Sequence, residues 1–481
     1  MKDLTPSCSF NRFLPKWGPT VRSGFQRGRS PILARVSGRD QRALVRLKVN
    51  TLRLTQGLPS CVAAALDDRG RHGGVRVMIM VVPEPVMPQR IIAHLDMDAF
   101  FAAVEERERP QFTGLPIVVG ADPLDGSGRG VVSTANYPAR VYGIHSALPI
   151  SQAWRRSEWA RRQGKPAVVF LRPNFAQYTE TSGRIRAIVE RHASTIEQAG
   201  IDELYVDLSA TGSYEQAREI AQAIKRDIAA KERLTASIGL GPNKLIAKIA
   251  SDAHKPDGLT VVEAQDAEAF LAPLSVRKIP GIGPKTEAAL RQQHVTVVQD
   301  LKRFSEVDLV EHFGKWGRAL YERARGRDED PVQETDEVKS IGEQETFARD
   351  TLDSQTLMEH IKCMGRDVLA RLAGAGYSSF RTVVVTVRFA DFETKSRSRT
   401  LPRPTDSVKD VEVEAMKLFL PFLDRRENPR RKLIRLIGVR VEKLGREESR
   451  HSGARSSHSK SIRVQDPGHV SSGLLPDLLK D

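Results

Sequence analysis

Cysteine is scarce: three in 481 residues, Cys8, Cys61 and Cys363, far apart and odd in number. Such a set builds neither a disulfide framework nor a cysteine metal cluster, and it fits a reducing compartment. Long apolar runs are also missing. The longest candidate, VMIMVV at 77–82, stops at Pro83 and Pro85, far short of the roughly 20 residues that cross a bilayer. No membrane span or membrane partner is expected, and no long internal repeat is visible. Acid is in deficit: the net charge is +15 and the pI about 9.8. That balance favours a polyanionic partner such as nucleic acid.

Hydrophobic residues make up 40% of the chain, enough for sizeable cores, and the length suggests about two to four domains. Residues 1–88 carry 15 Lys/Arg against 5 Asp/Glu, with weak periodicity. They read as a basic N-terminal extension, disordered or upstream of the true start. From residue 89 strands and helices alternate: a strand at 90–97, a helix near 99–108, strands at 116–120 and 130–134, and a strand at 167–171. A helix at 174–193, strands at 203–208 and 235–240, and an intervening helix at 214–231 follow. This pattern predicts an α+β layer with a mostly antiparallel sheet. Residues 260–330 read as short helices, 331–339 as a polar linker, 340–444 as a second α+β unit, and 445–481 as a flexible tail.

Two acidic stretches stand at strand ends. In IIAHLDMD a two-residue period puts Ile92, His94, Asp96 and Asp98 on one face. In GIDELYVDL, Asp202 and Glu203 open the next acidic strand. Carboxylates converging there repel one another unless protonated or given a cation. A small all-oxygen cluster suits Mg²⁺, which takes substrate phosphates as further ligands, and two such ions can clamp an in-line phosphoryl displacement. Thr134, Tyr137 and Arg140 in STANYPAR supply hydroxyls and a guanidinium for phosphate. Lys255 falls just past the end of a helix in IGLGPNKLIAKIASDAHKPDG, placed to reach outward. For either acidic motif alone, strand-end acids facing water are the plainer reading.

Taken in order, HLDMDAFFAAVE, STANYPAR, GIDELYVDL, AKIASD with KPDG, and IPGIGPK resemble the Y-family translesion DNA polymerases of the DinB, or DNA polymerase IV, branch. The resemblance covers about 89–444. It implies a multi-domain right-hand polymerase: an antiparallel-sheet palm (89–98 and 167–258), small fingers (99–166), a helical thumb with helix-hairpin-helix (259–330) and an α+β little finger (340–444). It makes Asp96, Asp202 and the backbone carbonyl of Met97 ligands of two Mg²⁺ ions, and Glu203 the catalytic carboxylate beside the primer 3′-hydroxyl. Because Asp202 and Glu203 would point to opposite faces of a regular strand, it also implies a turn there. Phe101 resembles the steric gate, a ring under the sugar that clashes with a ribose 2′-hydroxyl. Phe100, Thr134, Tyr137, Arg140 and Lys255 are implied nucleotide contacts, Phe100 through its backbone amide and in part as core. Gly200 stands where many relatives carry a serine, beside the metal site.

In KIPGIGPKTEAAL, Gly281 and Gly283 allow close backbone approach to a DNA phosphate, with Lys285 beside them. In the second α+β unit, 20 Lys/Arg face 15 Asp/Glu, and Lys395, Arg397 and Arg399 form a basic stripe by period two. The expected partners are primer-template DNA and dNTPs; the expected state is a monomer in a bacterial-type cytoplasm, associated with the nucleoid. The resemblance implies error-prone synthesis without proofreading, in DNA repair and damage tolerance. Sliding-clamp binding through the tail has Gln465 and several leucines to work with but no Phe or Tyr. The alternative class is a non-catalytic Y-family-like DNA-binding scaffold in a mutagenesis complex, which would lack the carboxylates that this chain keeps.

Overall fold

The computed structural model describes strands at Ile32–Val36, Cys61–Leu66 and Val75–Val81, then residues 89–334 and 338–446. Those first three strands pair antiparallel in one sheet with Val75–Val81 in the middle. The β-branched run VRVMIMV of the middle strand favours a pleated conformation.

By internal contacts the chain forms two units. The first comprises residues up to 117, 134–138 and 173–335; the second comprises 118–133, 139–172 and 336 onward. The first unit holds a five-stranded sheet in the order Leu259–Val261, Ala236–Gly241, Ile92–Met97, Glu203–Asp207, Ile196–Gln198. Its pairs are antiparallel except the Leu259–Val261 edge, which runs parallel to its neighbour. Ile92–Met97 lies at the centre, and Ile92, Ala93, His94 and Leu95 are all buried. Buried faces on both sides explain why its apolar run is nearly continuous.

Gly239 marks how tightly this layer is packed. A β-carbon there would lie 2.1 Å from the Ala247 carbonyl oxygen, so the helix Lys244–Ser251 rests directly on the strand. Asn243 caps that helix, accepting from the Ile246 amide at 3.0 Å, and its own amide donates to the Gly326 carbonyl at 2.7 Å. On the same unit, residues 264–323 are short helices around a separate apolar core that includes Val276, Ile279, Ile282, Leu290, Leu301 and Leu320.

In the second unit, Val132–Ala135, Ile117–Gly120 and Val169–Leu171 form a three-stranded sheet. Ile117 and Thr134–Ala135, at the ends of two of those strands, belong to the first unit. Residues 340–442 form an all-antiparallel four-stranded sheet in the order Ser340–Thr351, Ile434–Glu442, Phe380–Phe389, Thr394–Thr405. The helices Ser354–Gly374 and Val408–Phe419 pack with it over Val383, Val385, Val387, Phe389 and Phe419.

Candidate active site

The central strand ends at Met97, and a single turn leads into the helix Phe100–Glu108. Ala99 makes that turn in the left-handed region, φ 47°. Asp98 holds it in place. Its Oδ1 accepts from Ser237 Oγ at 2.8 Å and from Tyr137 Oη at 3.3 Å, and its Oδ2 accepts from the Asp257 amide at 2.8 Å. Asp98 is thus a buried organising carboxylate whose oxygens are already engaged.

Asp96 and Glu203 stand opposite each other in the sheet register. Asp202 lies in the bend just before its strand, and its carbonyl accepts from the Met97 amide at 3.0 Å. The bend takes Asp202 out of strand alternation, so the neighbouring acids need not point to opposite faces. A Cβ built on Gly200 would lie 3.4 Å from Asp202 Oδ1, ordinary contact for a small side chain.

Two lysines answer the acids. Lys255 Nζ lies 2.7 Å from Asp96 Oδ1 and 3.1 Å from Asp252 Oδ1. The expectation that Lys255 reaches outward is corrected: it turns inward, because a half-buried carboxylate offers its ammonium a better partner than solvent does. Lys248 Nζ donates to both oxygens of Glu203 at 2.8 Å. Behind it, the buried His94 bonds Ser251 Oγ through Nδ1 at 2.8 Å and approaches Glu203 at 3.7 Å.

Burial pushes Asp96 up to about 6, against the pull of Lys255. Burial and then repulsion from Glu203 raise Asp202. The His94 ring and the Lys248 ammonium hold Glu203 down to about 2. Of these two, Lys248 is the shorter contact. Burial lowers His94 below its ordinary value, so at neutral pH the ammonium is the charge that matters.

Among the described residues no three His, Cys, Asp or Glu side chains close into a cage by themselves. The donor chemistry nevertheless fits a hard divalent cation: oxygen ligands at one strand end, two of them destabilised as anions by their own burial.

The aromatic expectation divides. The Phe100 ring is core, 1% exposed, which leaves only its backbone for a ligand. Phe101 is half-buried and stacks on Tyr178, with ring centroids 4.4 Å apart and an 11° interplanar angle; Phe175 meets it edge-on at 5.8 Å. Thr134 and Tyr137 are half-buried on the Val132–Ala135 strand and the short helix Tyr137–Arg140. Arg140 ends that helix and belongs to the second unit.

Gly281, at φ +96°, turns the hairpin; Gly283 precedes the helix Pro284–Gln292, and Lys285 is exposed. Lys395, Arg397 and Arg399 stand opposite Val387, Val385 and Val383, so they share the helix-covered face. Lys395 donates to the Glu427 carbonyl at 2.8 Å, Arg397 pairs with Glu427, and Arg399 lies 3.2 Å from Glu414. The opposite face presents Thr386, Arg388, Ser396, Ser398 and Arg440. The pattern reading found the charges; the cross-strand register, which sequence period does not contain, decides which face they take. Gln465 and the rest of the tail beyond 446 lie outside the described residues.

Sequence reasoning missed Lys248, Tyr178 and Glu105. Lys244, Lys248 and Ser251 recur at helical spacing on an otherwise apolar helix, and that polar line was the available signal.

The chain matches the impB/mucB/samB family over residues 95–252, its C-terminal domain over 338–454 and its HHH motif over 264–295. It is 43% identical over 355 residues to a DNA polymerase IV of Methanoculleus marisnigri, covering 74% of this chain and 94% of that one. It is 38% identical to a DNA polymerase IV of Streptococcus mutans, covering 74% and 92%. Among solved structures it resembles the Y-family DNA polymerase chimera Dbh-Dpo4(243-245)-Dbh, with a TM-score of 0.65 and 28% identity over 74% of this chain and 99% of that one. It also resembles an insertion ternary complex of Dbh DNA polymerase, with a TM-score of 0.52 and 27% identity over 74% and 100%.

Proposed function

The chain belongs to the Y-family DNA polymerases of the DinB, or DNA polymerase IV, branch, and from that membership we propose that the acids at the end of Ile92–Met97 carry its chemistry. It is a translesion DNA polymerase, acting on DNA with nucleotides as substrates.

Asp96, Asp202 and the Met97 carbonyl are the groups that would hold divalent ions, two Mg²⁺ in our reading. Bound there, such ions would supply positive charge to the triphosphate and the primer 3′-hydroxyl, favouring attack on the α-phosphorus with departure of pyrophosphate. Glu203 lies beside them as the catalytic carboxylate, kept ionised across the working pH range by Lys248 and His94. Lys255, Tyr137, Thr134 and Arg140 grip the triphosphate; Lys255 exchanges Asp96 for phosphate oxygens. Phe101 excludes the ribose 2′-hydroxyl.

Gly281, Gly283 and Lys285 take a DNA phosphate without reading sequence. In the little finger the open sheet face with Arg388 and Arg440 is the better platform for the duplex backbone, and Lys395, Arg397 and Arg399 contribute charge at its edge. Synthesis is error-prone and unproofread, by a monomer on the nucleoid in the cytoplasm. No helix among the described residues is long and apolar enough to cross a membrane.

The observation that carries this reading is the convergence of Asp96, Asp202 and Glu203 at one strand end with raised pKa values on two of them. The test is primer extension by the full chain with Mg²⁺ and dNTPs, beside Asp202→Ala and Glu203→Ala. Each substitution is expected to slow extension about a thousandfold or more. A folded, DNA-binding wild type that extends no primer would instead establish the scaffold reading.

A further inference from the structure

We propose that Glu105 is a positioning residue for sugar selection, setting the plane of the Phe101 ring through Tyr178. The inference rests on Phe101 being the steric gate. Phe101 and Glu105 are one helical turn apart on Phe100–Glu108 and so lie on the same side. Tyr178 comes from a different helix, Phe175–Val189, and closes the arrangement: its ring lies flat against Phe101 and its hydroxyl donates to Glu105 Oε1 at 2.5 Å. Tyr178 and Glu105 are both buried, at 0% and 1% exposure.

A carboxylate in that place needs a reason. Packing alone asks for an apolar side chain, because burying an anion is costly unless it is strongly bonded. Arg109 lies 3.0 Å from the other oxygen, without the alignment of a hydrogen bond, and is itself 44% exposed. The phenol is therefore the directional partner. Burial first, and the Glu105 bond next, push the Tyr178 hydroxyl well above its ordinary range, so it remains a donor. A charge-assisted O–H···O bond is roughly twice as strong as a neutral one. It pins the far end of a ring that would otherwise slide over its neighbour, since offset stacking has little directional stiffness. A gate works by hard contact, and a displacement of about 1 Å is enough to change rates greatly.

The test is the ratio of kcat/KM for a dNTP to that for the matching rNTP, measured on the full chain. The panel is wild type, Tyr178→Phe, Glu105→Ala, Glu105→Gln, the Glu105→Ala/Tyr178→Phe double variant and Phe101→Ala. Tyr178→Phe keeps the ring and removes one oxygen, so it tests the bond without a cavity. It and Glu105→Ala are each expected to lower the ratio about three- to tenfold, the worth of one hydrogen bond. Their double variant falls no further than the worse single one, and Glu105→Gln restores most of the ratio through its carbonyl.

Unchanged ratios in Tyr178→Phe and Glu105→Ala, with the ratio lost in Phe101→Ala, would overturn the role of Glu105 and leave the gate standing. A ratio that survives Phe101→Ala would overturn the gate reading itself. Parallel loss of dNTP and rNTP use, with the ratio kept, would reduce Glu105 to a packing role and sink the proposal.

Discussion

The end of Ile92–Met97 and the little-finger sheet are both antiparallel β-structure, yet they handle charge in opposite ways. At the strand end, three carboxylates are held partly out of water, and lysines from one neighbouring helix and the turn after it answer two of them. In the little finger the buried face is mainly valine and phenylalanine, and the charges beside it are paired, Arg397 with Glu427 and Arg399 with Glu414. The first arrangement stores electrostatic free energy for a ligand to release; the second spends none. Substitutions in the first should therefore change chemistry while sparing the fold, and those in the second should do the reverse.

The largest separation is expected from Asp96→Asn. Primer extension should fall about a thousandfold or more, while the melting temperature in a chelating buffer at pH 8 stays level or rises. The sign follows from linkage. With Asp96 raised from 3.8 to about 6, its contribution to stability is fully present below pH 3.8 and lost as pH rises through about 6. The advantage of the asparagine variant should thus be on the order of 1–3 kcal/mol at pH 8 and vanish near pH 4. Glu203, lowered from 4.5 to about 2, runs the other way: its stabilisation is present above pH 4.5 and is lost as pH falls through about 2. An Asp96→Asn protein that melts lower at pH 8 than at pH 4, relative to wild type, would break the comparison.

The converse is Phe389→Ala, in the little-finger core. Thermal denaturation should show a loss of about 3–5 kcal/mol, while single-turnover rates at saturating DNA stay close to wild type. Smaller still is the contrast between the two faces of that sheet. Arg388→Ala should flatten the slope of log DNA affinity against log salt by about one. Arg397→Ala, already paired with Glu427, should change it by less than half as much. Equal slopes would restore the basic stripe as the DNA face. The smallest expected effect is Gly200→Ser. It puts a hydroxyl beside Asp202 and should alter extension only about two- to threefold, within what one weak hydrogen bond can do.

The parts legible in the sequence were those that depend on local period and residue type. IAHLDM had to be a buried strand that runs out into acid, and Val383, Val385 and Val387 had to share a core face. The bend at Asp202 was accessible through family resemblance alone, since strand alternation argues against two adjacent acids acting together. The direction of Lys255 was not legible, because a side chain past a helix end is oriented by partners from other segments. The same holds for Glu105: nothing near it in the chain tells that residue 178 will bring a phenol to its side. The facing of the basic stripe was not legible for a related reason, as cross-strand register is a long-range property.

Asp98 also has a consequence in time. Its carboxylate joins residues 39, 139 and 159 positions further along the chain. Contacts so far apart in sequence form late, after the segments between them have been made and have folded. During synthesis from the N-terminus, the turn that sets the helix Phe100–Glu108 against the acids is incomplete until Asp257 has left the ribosome. A truncated product of this message, ending between Glu203 and Asp257, has all three acids and Phe101 but lacks the tie that registers them, so an interrupted translation there does not release a working polymerase.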